Sequence, residues 1–319
     1  MRCNPFVSIV VPAYNAGAFV GECLASIQAQ QFEDWECVVV DDGSTDSTVE
    51  KVSTSIRGDR RFRLIRQERR GVSVARNHGF YEASRNARFV TFMDADDCWE
   101  SDALDVLLEG ANRSGSLVGA HGLAEVMNEH GELVDSGGFE SFGRRRLGYR
   151  NGAICEWPLD APTCFSTLCW TGPLYPPGVL MARRKVYEAV GVFDTTMRLC
   201  EDWDMAIRLS RYGDITFVNK VVVKYRRHST NASRDVAGNH LAVRKLYYKT
   251  FFSDENRIEH KQLLREGWLA WQKFKLREKW NAALDGIRRG TPQDALRALL
   301  STPVHLARYL KGTPGKGVI

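Results

Sequence analysis

Three aspartates, Asp94, Asp96 and Asp97, crowd into four residues directly after the apolar run 89–93. A short, continuous run of β-forming residues predicts a strand of a parallel sheet, buried on both faces. Carboxylates crowded at a strand end repel one another unless a positive group lies among them. A hard divalent cation that also holds a phosphate would supply that charge through oxygen ligands. We therefore predict a metal–diphosphate site, and the alternative is a solvated loop that caps the following helix.

Two further polar clusters follow predicted strands. Tyr14 and Asn15 come after the run 6–11, and Asp41-Asp42 comes after the run 35–40. Parallel sheets bind ligands beyond the carboxyl ends of their strands, so we expect the three clusters to converge on one crevice. A ring there can stack on a base, an amide can bond the base or orient a loop, and a carboxylate can accept a uracil N–H or a ribose hydroxyl. A plain turn and a helix cap are the alternatives.

Two later segments carry charged groups that could serve the same crevice. The segment 71–79 begins a predicted helix at Gly71, where phosphate is favoured, and Arg76 lies one turn further on. His228 follows a strand-like valine run, and a neutral imidazole can ligate a metal while Arg226 can bind a diphosphate. Ordinary packing within the fold is the alternative for both segments.

The elements that must position these residues follow a βαβα order in the first hundred residues. This order predicts an α/β fold with a mostly parallel sheet and helices on both faces. After about residue 110 the apolar runs shorten, and 117–126 with the segment near Gly131 could form antiparallel strands. The region 137–178 reads as loop-rich, with Trp157 and Trp170 exposed. Loops of this length are often lids or binding loops.

Composition and charge narrow the class of protein. The 319 residues can bury a large core, in one domain or two. The eight cysteines show no CxxC pair, which argues against a disulfide scaffold and for reduced thiols in the cytosol. No signal-peptide pattern and no apolar run of 18 residues is visible, so we expect a cytoplasmic protein, either free or peripheral at the inner face of the membrane.

The C-terminal segment is basic and aromatic. From Arg244 to Ile319 there are 16 lysine and arginine residues against 7 aspartate and glutamate residues. Trp268, Trp271 and Trp280 lie among these charges, a pattern typical of a helix on an anionic membrane. The alternative is a helical extension that packs its aromatic side chains on the rest of the protein. No nucleic-acid motif is visible, so no nucleic-acid partner is expected.

Five motifs, taken in order, resemble glycosyltransferase family 2, whose members have the GT-A fold. They lie between about residues 6 and 230 and read VSIVVPAYN, DDGSTD, GVSVARNHG, FMDADD and EDWDMAIRL. The resemblance implies inverting, metal-dependent transfer from a nucleoside-diphosphate sugar, with UDP favoured, to a hydroxyl of a glycan or lipid-linked acceptor. Surface polysaccharide or glycoconjugate synthesis is the expected setting. A catalytic domain is expected over 1–240, with a nucleotide half to about 110 and an acceptor half from 111, followed by the helical extension 241–319.

The resemblance also implies the catalytic residues. Glu201 and Asp202 begin a predicted helix, where the helix dipole by itself favours acidic side chains. The family's base falls on Asp202, which would take a proton from the acceptor hydroxyl as that oxygen attacks. Glu201 would bind the acceptor or hold the loop.

The metal and nucleotide sites follow from the same resemblance. Mn²⁺ or Mg²⁺ is expected on the acidic cluster, where the extra aspartate allows two registers and Asp96 is favoured over Asp94 and Asp97. The resemblance also implies His228 as a further metal ligand, although the match to the family is less close at this residue. The expected nucleotide-binding residues are Pro12, Tyr14, Asn15, Asp41, Asp42, Arg76, Asp94 and Ala95.

Two other classes of protein remain as alternatives. The first is another metal-dependent enzyme on nucleotides, such as a nucleotidyltransferase or a sugar-nucleotide hydrolase. Such an enzyme is expected to have a basic loop after the first strand, but the segment PAYNAG at that position contains no basic residue. A non-catalytic, membrane-associated scaffold would gain nothing from the clustered acids at 94–97 together with Asp202.

Overall fold

The computed structural model describes residues 5–134 and 146–289, together with Gln293. The strands are β1 (Val7–Ala13), β2 (Trp35–Asp41), β3 (Phe62–Arg66), β4 (Phe89–Phe92), β5 (Cys98–Trp99), β6 (Gly119–Met127), β7 (Leu147–Arg150), β8 (Ala153–Glu156), β9 (Leu180–Arg183) and β10 (Ile215–Arg226). The helices are α1 (Val20–Gln28), α2 (Thr48–Ser55), α3 (Val72–Glu82), α4 (Ala103–Asn112), α5 (Phe165–Leu168), α6 (Arg184–Val190), α7 (Glu201–Ser210), α8 (Val236–Phe251) and α9 (Ile258–Arg288).

Eight strands form one sheet in the order β3-β2-β1-β4-β9-β6-β10-β5, while β7 and β8 form a separate hairpin. The first four strands run parallel, and β6 runs parallel to β10. β9 lies antiparallel between β4 and β6, and β5 is antiparallel to β10. The predicted α/β class with a mostly parallel sheet is confirmed.

The predicted antiparallel pairing after residue 110 is present in part. β6 pairs antiparallel with β9 but parallel with β10. Near Gly131 the chain makes an isolated bridge between Met127 and Leu133 rather than a strand. A central strand between two neighbours can pair differently on its two sides, which the run of apolar residues alone does not reveal.

The central strands are buried because they consist largely of β-branched and aromatic residues. All seven residues of β1 are buried, and α3 packs against β1 and β2. A Cβ on Gly79 would lie 2.4 Å from Val10 Cγ1, so glycine permits the close approach of this helix to the sheet. That contact fixes the position of Arg76, one turn earlier in α3.

The region 137–178 contains more structure than the sequence predicted. Residues 135–145 lie outside the described part of the chain, and the hairpin and α5 follow them. The prediction of exposed indoles is wrong for Trp170, which is 1% exposed, and Trp157 is half-buried. Trp170 is covered by α9, where a Cβ on Gly267 would lie 2.3 Å from Trp170 Cζ2. The residue that buries Trp170 is thus remote in sequence.

The aromatic stripe of the C-terminal segment divides into two parts. Trp268 and Trp271 are 2% and 5% exposed, whereas Trp280 is 58% exposed. The first half of α9 therefore packs on the protein.

The predicted domain boundary at residue 240 falls inside α8 and stays a prediction. None of the helices within the described ranges is both long and apolar enough to cross a membrane, and the last predicted residues, 294–319, lie outside those ranges.

Candidate active site

A cavity of about 670 Å³ lies at the carboxyl ends of β1 and β4. The predicted site residues that line it are Pro12, Tyr14, Asn15, Arg76, Asp94, Ala95, Asp96, Glu201, Asp202 and His228. Three predicted residues, Asp41, Asp42 and Asp97, are not among the lining residues. The fold thus brings together strand ends, a helix start and the end of β10, which are far apart in sequence.

A buried arginine joins two acidic segments of the cavity wall. Arg76 is 2% exposed, and its guanidinium donates to Asp94 Oδ1 at 2.6 Å and to Glu201 Oε1 at 2.7 Å. Burial alone would lower the pKa of Arg76, but the two carboxylates raise it above its usual value. Burial also raises the pKa of Asp94, against the effect of Arg76. Asp94 is therefore engaged by a cation of the protein itself.

A second buried arginine holds the acidic loop in place. The Arg226 side chain is fully buried, and its Nε donates to the Asp96 carbonyl at 2.8 Å while Nη2 lies 2.6 Å from Glu22 Oε2. Its backbone N–H donates to Asp97 Oδ1 at 2.8 Å. Asp97 is fully buried, and burial together with the charges of Asp96 and Asp94 raises its pKa well above the usual range. Asp97 therefore holds β10 against the loop and lies behind the cavity wall.

Asp96 and His228 contact each other on the cavity wall. Asp96 Oδ2 lies 2.9 Å from His228 Nε2, and the His228 ring stacks on Phe19 with centroids 4.7 Å apart. Within the described residues, no three His, Cys, Asp or Glu side chains are grouped to hold a metal ion. Two protein ligands nevertheless fit Mg²⁺ or Mn²⁺, since such ions on nucleotides take their remaining ligands from phosphates and water.

Asp202 lies in the first turn of α7, half-buried beside Glu201. Burial, followed by the charge of Glu201, raises the pKa of Asp202 to about 7. One oxygen accepts the Trp203 backbone N–H at 2.7 Å. The residue before the helix, Cys200, has a left-handed φ of 60°, which turns the chain sharply into the cavity. A carboxylate with such a pKa can accept a proton near neutral pH.

Asn15 lines the cavity and joins the loop after β1 to the loop after β2. It has a φ of 47°, its N–H donates to Ser44 Oγ at 3.0 Å, and its Oδ1 accepts the Thr45 N–H at 2.9 Å. The amide thus orients the loop, and its assignment to nucleotide binding stays a prediction. The Arg69 guanidinium carbon lies over the adjacent Tyr14 ring, 3.9 Å from the ring centroid, a contact that the sequence did not predict.

The two aspartates after β2 support the loops around the cavity. Asp42 accepts the backbone N–H groups of Arg70 and Gly71, each at 2.8 Å, and so fixes the entry to α3. Asp41 is 1% exposed and accepts the Ser44 N–H at 3.2 Å. Neither carboxylate lies on the cavity wall, so their assignment to nucleotide binding stays a prediction.

Sequence reasoning missed one whole wall of the cavity. This wall is formed by residues of the loop before α7, of α7 itself and of the C-terminal helices, namely Arg198, Trp203, Tyr247, Trp271 and Lys275. The sequence left open whether the C-terminal helices pack on the catalytic domain, and none of their residues was predicted in the site. The signal was present in the helical spacing of Trp268, Trp271 and Lys275, which repeats at one helix face.

The family model described as "Glycosyl transferase family 2" matches residues 8–191, more than half of the chain. The chain belongs to this family. Chondroitin synthase of Escherichia coli is 25% identical over 235 residues, which cover 72% of this chain and 30% of that enzyme. The putative teichuronic acid biosynthesis glycosyltransferase TuaG of Bacillus subtilis is 36% identical over 107 residues, 33% of this chain and 42% of that protein. The chain thus spans less than half the length of these relatives.

Solved structures confirm the GT-A fold. The mannosyltransferase PcManGT of Pyrobaculum calidifontis, in complex with GDP-Man and Mn²⁺, has a TM-score of 0.63 at 19% identity and covers 98% of this chain and 80% of its own. S. aureus TarS 1-349, in complex with UDP-GlcNAc, has a TM-score of 0.56 at 17% identity, and the match covers 96% of this chain and 92% of the TarS chain. At such identities the likeness concerns the fold.

Proposed function

We propose that this glycosyltransferase moves a sugar, with inversion, from a nucleoside-diphosphate sugar to a hydroxyl of a glycan or lipid-linked acceptor, and that it requires a divalent metal. The observation that carries the proposal is that the Asp96–His228 pair and the carboxylate of Asp202 line one cavity at the strand ends. UDP-GlcNAc in TarS, GDP-Man and Mn²⁺ in PcManGT, and polysaccharide synthesis by the relatives support it. A UDP-sugar is the favoured donor.

Asp96 and His228 would hold Mn²⁺ or Mg²⁺. When bound, the ion supplies positive charge that stabilises the departing diphosphate. Arg76 donates to both Asp94 and Glu201, so that it links the acidic loop to α7. In this arrangement Glu201 positions the neighbouring Asp202 rather than meeting the acceptor itself.

Asp202 would remove the proton from the acceptor hydroxyl. As the acceptor oxygen bonds to the anomeric carbon from one face, the bond to the diphosphate oxygen breaks on the other face, and configuration inverts. The proton ends on Asp202 and the electron pair on the nucleoside diphosphate. The Asp202 pKa of about 7 suits this step, because the carboxylate is a base at neutral pH yet holds the proton that it takes.

The test is release of nucleoside diphosphate from a panel of UDP-, GDP- and dTDP-sugars with a mixture of acceptor oligosaccharides. We expect release from one donor class, its loss with EDTA, and its loss in Asp202→Asn. The exposed Asp105→Asn, on the outer face of α4, is the matched control and should resemble the wild type. Nucleotide binding by the wild type without any turnover of donor would favour a non-catalytic scaffold instead.

A peripheral contact with an anionic membrane also belongs to this proposal. It is supported by the excess of basic residues after Arg244 and by Trp280, which is exposed on α9. A lipid-linked acceptor would then meet the enzyme at the membrane surface.

A further inference from the structure

We propose that Arg198 and Lys275 form a subsite for an anionic group of the acceptor, so that the acceptor is a glycan that carries a carboxylate or a phosphate. The inference rests on the proposed transfer function and deepens it by naming the class of acceptor. Both side chains line the cavity that also contains Asp202.

Lys275 reaches the cavity from α9. Its Nζ lies 4.6 Å from the ring centroid of Trp271 and 3.1 Å from Glu278 Oε2. The side chain of Lys275 is 31% exposed and that of Glu278 is 37% exposed, so their ion pair is weak and screened by water. An anionic ligand can therefore compete for this ammonium group, which the buried Trp271 holds in position.

Arg198 lies in the loop that leads into α7. It is exposed, and within the described ranges of the chain no carboxylate forms an ion pair with it. Arg76, by contrast, is 2% exposed and donates to Asp94 and Glu201. The cavity thus presents two cations that remain accessible to a substrate.

A chain of aromatic contacts places Lys275 on the same side of the cavity as the base. Trp203, next to Asp202, contacts Tyr247 with ring centroids 6.0 Å apart. The Tyr247 hydroxyl donates to the Trp170 carbonyl at 3.0 Å, and the Trp170 and Trp271 ring centroids are 6.2 Å apart. The Asp96–His228 pair belongs to another wall, where His228 stacks on Phe19.

The position of the two cations relative to the base points to the acceptor rather than to the donor. The diphosphate of the donor is expected beside Asp96 and His228, whereas the acceptor hydroxyl must reach Asp202. Half-buried rings on the wall of Arg198 and Lys275, those of Trp203 and Tyr247, offer apolar faces on which a sugar can pack. An acidic sugar residue would then place its ring on the aromatic side chains and its charge on the cations.

The test compares binding of three tetrasaccharides by calorimetry at low ionic strength, with UDP and Mn²⁺ present. One contains hexuronic acid, one is its carboxyl-reduced neutral counterpart, and one carries phosphate. We expect at least one anionic form to bind about tenfold tighter than the neutral form, as one charge-assisted hydrogen bond would give. The form that binds tighter distinguishes carboxylate from phosphate, and added salt should weaken the preference.

Lys275→Gln and Arg198→Gln should each remove most of this preference. Lys273→Gln, an exposed lysine of the same helix that does not line the cavity, is the matched control and should keep it. Equal binding of acidic and neutral forms, or binding of neither, would overturn the inference, as would a loss of UDP affinity in Lys275→Gln with acceptor binding unchanged. Failure of the wild type to bind UDP with Mn²⁺ would instead count against the proposed function.

Discussion

At the scale of single residues, Asp202 is the group whose surroundings change its chemistry most usefully. Burial and the neighbouring Glu201 raise the pKa of Asp202 to about 7. Below that pH the carboxyl is protonated and cannot act as a base. We predict that the transfer rate falls about tenfold per pH unit below pH 7 and levels off above it, and that Asp202→Asn lowers the rate by about 10²- to 10⁴-fold.

Initial rates measured from pH 5 to pH 9 at saturating donor would check this prediction. Asp105→Asn should reproduce the wild-type profile. Near-normal transfer by Asp202→Asn, or a wild-type profile that is flat through pH 7, would mean that another group takes the proton.

Arg226 stabilises the fold through the hydrogen-bond acceptors that its side chain contacts. Its side chain is fully buried with Glu22, the Asp96 carbonyl and the Glu129 carbonyl as acceptors. Arg226→Met would leave the two carbonyls without their donor, whereas Glu22, which is 58% exposed, would stay hydrated, and we predict a loss of about 1–3 kcal/mol in the free energy of unfolding. Denaturant unfolding would measure it, with the exposed Arg85→Met as control. A change below about 1 kcal/mol would show that the acidic loop is held by other contacts.

At the scale of elements, the docking of α9 depends on the absence of a side chain at Gly267. A Cβ there would meet the Trp170 ring at 2.3 Å. We predict that Gly267→Ala lowers the free energy of unfolding by about 1–3 kcal/mol through overpacking, despite the better helix propensity of alanine. Thermal unfolding would test this against Gly115→Ala, where nothing lies within 4 Å. Equal Tm values for the two variants would contradict the packing described for α9.

The elements also show what the sequence could and could not predict. The strands β1, β2 and β4 lie within two residues of the predicted runs, because continuous apolar stretches between turns have few other ways to be buried. The strands β5 and β9 were not predicted, since β5 has only two residues and the four residues of β9, LMAR, favour a helix by themselves. The burial of Trp170 depends on a helix about a hundred residues later, which no local pattern reveals.

The same distinction applies to the site. Asp96, Asp202 and His228 were predicted from the acidic cluster and the family resemblance, and the fold brings all three to one cavity. Arg198 and Lys275 were missed, because each is an ordinary surface cation until the fold brings it to the cavity wall. Asp97 was predicted as a metal ligand; its carboxylate accepts the Arg226 backbone N–H behind the cavity wall, and the assignment stays a prediction.

At the scale of the whole molecule, the C-terminal helices serve the cavity and carry basic charge. Trp280 and Ile287 are 58% and 64% exposed on α9. We predict that the protein sediments with vesicles containing anionic lipid at low salt, and that it is released at high salt because the attraction is screened. Trp280→Ala should weaken binding, and neutral vesicles are the control. Absence of sedimentation with anionic vesicles would remove the proposed membrane contact.

The central claim is that the acidic loop and His228 bind a metal and a nucleoside diphosphate together. The direct measurement is the thermal stability of the protein with UDP, GDP or dTDP, each with Mn²⁺ or with EDTA. We predict that one nucleotide at a hundred times its Kd stabilises the wild type by about 2.7 kcal/mol, that EDTA abolishes the effect, and that Asp96→Asn reduces it while Asp105→Asn does not. No stabilisation by any nucleotide, or the same stabilisation in EDTA, would contradict the claim.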